Sequence, residues 1–261
     1  MGTGAITEYV DVAQLVLYLF WLFFAGLVYY LTMESKREGF PLESDRPNRP
    51  VRKESGILGI PKPKVYKTAF HGEFHAPHHR DDQEPPVAGK SLTGMPGSPV
   101  EPTGDPMTSG IGPGAFTRRM DVVDRTVEGN VKIVPLRSAP GFSLAHQDLD
   151  PRGLPVVGAD GQVGGKVVEA WVDRSEHLIR YLEVETQGHR KVLLPMNFAV
   201  VHRDRIKGNR VTVQSILAGQ FEGVPTTKSP DQITLLEEER VMAYFGAGTL
   251  FATPERREPL F

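Results

Sequence analysis

Residues 12–32 read VAQLVLYLFWLFFAGLVYYLT, an apolar run without a charged side chain near the start of an otherwise polar chain. Its length matches the roughly 20 residues an α-helix needs to cross a bilayer. A helix also suits lipid, which offers no partner to free backbone N–H and C=O groups. Gln14 is the only strongly polar residue of the run. Tyr29 and Tyr30 suit the aromatic belt at headgroup level, whereas Trp21 falls mid-span, where packing against another protein accounts for it better. Glu8 and Asp11 precede the run with no Lys or Arg, and Lys36 and Arg37 follow it closely. Positive charge stays on the cytoplasmic side, so the N-terminus is expected outside and the bulk of the chain in the cytoplasm. A cleaved signal peptide would carry a basic leader, a shorter apolar core and a small-residue cleavage site. None of these is present, and an uncleaved anchor is expected.

Net charge is −2, which gives no electrostatic case for nucleic acid. The chain has no cysteine, which excludes disulfides, thiolate metal sites and cysteine nucleophiles. Residues 34–119 are the least regular stretch. PKPKVYK, EPPVAG and TGMPGSPVEPTGDP read as extended or turn backbone, because proline fixes φ and removes a donor. So long a segment is expected to be a strap ordered by a partner surface.

From about Asp150 the pattern changes to short β-rich runs between turn signals. LPVVG leads into an Asp160-Gly161 turn. GKVVEAWVD sets Val168, Ala170 and Val172 against Val167, Glu169 and Trp171; IRYLEVET sets Leu182 and Val184 against Glu183 and Glu185. After a Gly188-His189 turn come KVLLP, FAVVH and RVTVQSIL. Five or six short strands without a helical period argue a small antiparallel barrel or sandwich. A helix then opens at the Thr234–Glu237 capping-box spacing, with Leu235, Leu236, Glu239, Met242 and Phe245 recurring along it and Gly246 and Gly248 offering a stop. The expected division is a tail over 1–11, a transmembrane helix over 12–32, a strap over 33–119, and a mainly-β domain with a C-terminal helix over 120–261.

Several words now carry a resemblance. DVAQLVLY and FWLFFAGLVYYL in the span, KREGFPLE after it, PTGDPM and GPGAF in the strap, then KIVPLR, DPRGLPVV, GKVVEAWVDRSEH, IRYLEVE, KVLLP and VPTTKSPDQITLLEEERVMAYF follow in order. Together they resemble the H subunit of the photosynthetic reaction centre of purple bacteria over nearly the whole length. The resemblance implies a PRC-barrel-like cytoplasmic domain and a periplasmic N-terminus in the bacterial inner (intracytoplasmic) membrane. It also implies a non-catalytic cap on the L and M subunits, with a cytochrome subunit and an antenna as further neighbours. Bacteriochlorophyll, bacteriopheophytin, quinones and non-haem iron would belong to those partners, none to this chain alone. A membrane-tethered barrel adapter unrelated to photosynthesis is the rival reading; it shares the domain but not the span and strap words.

A buried quinone needs ionisable side chains and waters to bring it protons. Asp173, Glu176 and His177, in WVDRSEH, are the densest such group. Read from the residues alone, they are a solvated turn with surface ion pairs of little weight. The resemblance assigns Asp173 and Glu176 to the proton path and Arg180 to holding the glutamate ionised. One departure stands out: where some members carry a histidine pair before the KI-P word, this chain reads DRTVEGNVKIVP. Asparagine cannot titrate, so Glu128, Asp124 and His177 are the candidates for proton entry. No metal site is expected there. His71, His75, His78 and His79 cluster in HGEFHAPHHR, but Gly72 and Pro77 break any helix that would align them, and a polar histidine-rich loop is expected rather than a metal site. Lys36 and Arg37, with Tyr29 and Tyr30, mark the membrane interface, where basic residues also hold anionic lipid headgroups.

Overall fold

The computed structural model describes residues 4, 6, 11–39, 58–77, 88–95, 97–206 and 208–257. They form two compact units, residues 1–85 with 94–97, and residues 86–93 with 98–261.

In the first unit, helix α1 runs Val12–Gly39. Asp11 caps it, its carboxylate accepting from the Gln14 N–H at 2.7 Å. The helix continues seven residues past the apolar run because MESKREG contains good helix formers, with Glu34 and Arg37 paired at 3.2 Å. None of its apolar stretch is buried within the chain; Trp21 lies open beside the edges of Phe20 and Phe24. A helix apolar all round, its apolar stretch unburied by the described residues, has lipid or another protein as its natural surroundings. A hairpin follows, β1 (Lys64–Thr68) against β2 (Gly72–Ala76).

The second unit opens with a small hairpin, β3 (Gly89–Ser91) and β4 (Val100–Pro102). Its main sheet contains β5 (Ile133–Pro135), β6 (Pro155–Val157), β7 (Val163–Asp173), β8 (Leu178–Thr186), β9 (Lys191–Pro195), β10 (Ala199–His202) and β11 (Arg210–Val213). The path is β10-β11-β6-β7-β8-β9, with β5 also pairing with β7. The β6–β11 pairing is parallel and the other ladders are antiparallel. The mainly-β domain with a closing helix is therefore as expected. Helix α2 (Leu235–Phe251) covers the sheet, and Trp171, Tyr181, Leu182, Leu194, Phe221 and Phe245 are sealed in the core.

Three expectations need correcting. The segment before residue 119 is not simply a strap for a partner, because Met107 is buried in the core of its own domain. There Gly114 lies so near α2 that a Cβ would come 2.9 Å from the Ala247 Cβ. Helix α2 does not stop at Gly246 or Gly248. It runs through both, and they serve close packing: a Cβ on Gly246 would meet the Pro113 carbonyl at 2.5 Å, and one on Gly248 would strike Ser215 and Ile216. Of the expected stripe Leu235, Leu236, Glu239, Met242 and Phe245 only Phe245 is buried; it lies on a face with Glu237, Val241, Tyr244 and Gly248. Strand β7 is covered on both faces, and Glu169 on it and Glu183 on β8 are both buried.

Candidate functional site

The site is built at one end of β7. Pairing of β5 with β7 sets Ile133 opposite Asp173, which brings Lys132 alongside the strand end. Asp173 is wholly buried, and its Oδ1 accepts from the N–H groups of Ser175 and Glu176 at 2.9 and 3.1 Å. Its carboxylate thus shapes the turn from β7 into β8, with the His177 N–H bonding the Asp173 carbonyl and His177 taking a φ of 55°. Histidine is among the residues that enter this left-handed region most readily. The second oxygen, Oδ2, makes no hydrogen bond and faces the Lys132 ammonium at 3.6 Å.

Lys132 gathers the expected acids. Its Nζ lies 3.4 Å from Asp124 Oδ2 and 3.8 Å from Glu176 Oε1, besides the contact to Asp173. The side chains grade from open to closed: Glu176 is 53% exposed, Asp124 42%, Lys132 21% and Asp173 0%. Three carboxylates around one ammonium leave net negative charge at a water-to-interior step, an arrangement that can take up and pass a proton.

The other expected residues are placed differently. His177 is exposed on the same turn, its ring against Phe142 with centroids 5.2 Å apart. Glu128 is exposed on the turn over residues 126–129 and makes no ion pair with a described residue. Arg180 is the extra residue where the β7–β8 register slips between Trp171 and Val172. Its charge acts on Tyr181 and Glu238.

Glu238 was not foreseen. It sits in the first turn of α2, its Oε2 accepting from the buried Tyr181 hydroxyl at 2.8 Å. Burial pushes its carboxyl above the ordinary range; the Tyr181 bond and the charges of Arg180 and Arg119 oppose that, while Asp124 adds to it. A second unforeseen group lies further along the sheet. Glu169 and Glu183 face each other across β7 and β8. Arg137 lies 3.2 Å from Glu183 and 3.8 Å from Glu169, Arg152 lies 3.6 Å from Glu169 and Lys191 3.2 Å from Glu183, and the Trp171 indole N–H donates to Glu183 at 3.0 Å. Arg137 also bonds Asp231 and the Pro230 carbonyl, so this group braces the loop that leads into α2.

In the first unit, Lys36 is buried and bonds the Gly59 carbonyl at 3.3 Å, while Arg37 bonds the Lys62 carbonyl. Tyr29 and Tyr30 are exposed on α1. Among the described residues no group of three or more His, Asp or Glu is arranged to hold a metal, and His78 and His79 of the histidine cluster lie outside the described residues.

Comparison with known families matches residues 4–138 to the photosynthetic reaction centre H-chain N-terminal region, and residues 146–218 to the PRC-barrel domain. The first match includes the span and the segment after it, the parts a tethered barrel adapter would not share. Because that match takes in more than half of the sequence and the barrel follows it in order, the chain belongs to the photosynthetic reaction centre H-chain family.

Proposed function

We propose that the protein is the single-span H subunit that caps the cytoplasmic face of the L and M subunits and helps carry protons to a secondary quinone. Helix α1 is long and apolar enough to cross a membrane, and Lys36 and Arg37 at its C-terminal end favour a cytoplasmic location for the domain. The bacterial inner membrane, the pigments, quinones and non-haem iron of the partner subunits, and any cytochrome or antenna contact belong to this reading. The chain itself carries out no catalysis in it.

The observation that carries the reading is the meeting of Asp124, Asp173 and Glu176 on Lys132. Converting a quinone to a quinol consumes two electrons and two protons. Glu176 and Asp124, open to water, would collect a proton; Asp173, sealed from it, would hold one for onward transfer. Lys132 keeps the acids from repelling one another apart and stabilises each while it is ionised. His177, exposed on the same turn, offers an imidazole for delivery at the surface.

The test replaces Glu176→Gln together with Asp173→Asn in the intact complex. Asparagine keeps an oxygen to accept from the Ser175 and Glu176 N–H groups, so the turn is preserved while the proton carrier is lost. Flash spectroscopy is expected to show the second, proton-coupled electron transfer slowed and the first charge separation nearly unchanged. An unaltered second transfer would remove the relay assignment.

A further inference from the structure

We propose that the β1–β2 hairpin is a second membrane contact, lying in the headgroup layer beside the C-terminal end of α1 and resting on anionic lipid. The inference depends on α1 spanning the bilayer and is independent of the proton relay.

Position is the first argument. Three ties fasten the hairpin and its lead-in to α1: Lys64 pairs with Glu34, the Lys36 ammonium bonds the Gly59 carbonyl, and Arg37 bonds the Lys62 carbonyl. Glu34 and Arg37 lie two and five residues beyond the apolar run, or roughly 3–8 Å of helix rise at about 1.5 Å per residue. A bilayer of about 40–45 Å with a hydrocarbon core of about 30 Å leaves roughly 5–8 Å of headgroup on each side. The ties therefore hold the hairpin at headgroup depth.

Surface chemistry is the second argument. Val65 and Tyr66, 51% and 50% exposed, leave opposite faces of β1 and Phe70 in the turn is 45% exposed, so both sides and the tip of this short hairpin carry apolar or aromatic surface. Lys62 and Lys67 are exposed beside them, and Glu73 is the one acid of the two strands. Aromatic rings with lysines suit the boundary between acyl chains and phosphates, where apolar area and attraction to anionic lipid add. A two-stranded hairpin is also marginal in water alone and needs a surface to lie on. Continuity with the span makes lipid that surface.

Because the chain has no cysteine, an introduced one is the single thiol on it, and the complex with the unaltered chain, treated with the same label, supplies the background. Val65→Cys and Tyr66→Cys, each carrying a nitroxide, would be compared with Leu22→Cys in α1 and Val163→Cys in the sheet domain. The intact complex is placed in phosphatidylcholine vesicles with and without phosphatidylglycerol, and collision with oxygen and with a water-soluble nickel chelate is measured. At residues 65 and 66 the expected result is nickel access several-fold below that at Val163 and oxygen access below that at Leu22. Phosphatidylglycerol should lower nickel access further, and Lys62→Gln with Lys67→Gln should abolish that effect. Water-like nickel access at both hairpin sites would overturn the proposal. So would an immobilised label reached by neither reagent, which would mean that a partner protein covers the hairpin. If Leu22 reports water, the span reading fails as well; if Leu22 reports lipid while the hairpin does not, only this proposal fails.

Discussion

Glu238 illustrates how a single side chain can make stability depend on pH. Its carboxyl is pushed above the ordinary 4.5, first by burial. Over the window between 4.5 and that raised value, the folded chain holds a proton that the unfolded chain has released. Stability therefore falls as pH rises through the window and is level above it. Glu238→Gln, which still accepts from the Tyr181 hydroxyl, is expected to flatten that slope in denaturant titrations of the detergent-solubilised chain at stepped pH. Lys132 makes a different case. Lys132→Met leaves Asp173 buried without its cation, at an expected cost of about 2–3 kcal/mol, somewhat below the penalty for breaking a fully buried pair because the lysine is partly exposed. Asp173→Asn in the same chain should recover part of the loss in a double-mutant cycle. The acids of this site could be found in the sequence by their density and by resemblance. Lys132 could not, since only the Ile133–Asp173 register brings it there. The alternation of their strands groups Glu169 with Val167 and Trp171 and Glu183 with Glu185, and gives no sign that both are buried; their burial depends on Arg137, Arg152 and Lys191, which arrive from three other places in the chain.

Helix α2 shows how glycine can be misread. Gly246 and Gly248 follow an amphipathic run, where a C-terminal stop is the natural expectation. Helical propensity alone would favour alanine there by about 1 kcal/mol. Contact decides otherwise, because the backbone atoms of Ser215 and Pro113 occupy the space a methyl group needs and cannot swing aside as a side chain could. Gly248→Ala is expected to lower stability by about 1–3 kcal/mol, the usual cost of overpacking. Gly219→Ala, where a Cβ would meet nothing within 4 Å, should be neutral or slightly stabilising. Thermal melts of the two variants side by side check the contrast. The start of the helix, by comparison, was written locally: the Thr234 hydroxyl accepts from the Glu237 N–H at 3.2 Å and the Glu237 carboxylate from the Thr234 N–H at 2.9 Å. Caps, turns and strand propensities act over a few residues and are readable in sequence; close approaches between distant segments are not.

Every buried residue of the main core falls between Met107 and Ala247, within the second unit. A fragment beginning at residue 86 is therefore expected to fold without detergent and melt cooperatively by circular dichroism, having lost its association with membranes. The full chain, tagged and extracted in mild detergent from its native membranes, is expected to bring bacteriochlorophyll and bacteriopheophytin bands that bleach reversibly in light. A colourless single chain from pigmented cells would contradict the proposed assembly. The two tryptophans fall one to each unit, Trp21 open on α1 and Trp171 enclosed with its indole N–H on Glu183. Their fluorescence separates accordingly. Trp171 should emit at short wavelength until the sheet opens, and Trp21 should follow whatever surrounds the helix. With Trp21→Phe, the colour of the remaining emission becomes a built-in gauge of domain unfolding in the membrane-bound protein, with no dye attached.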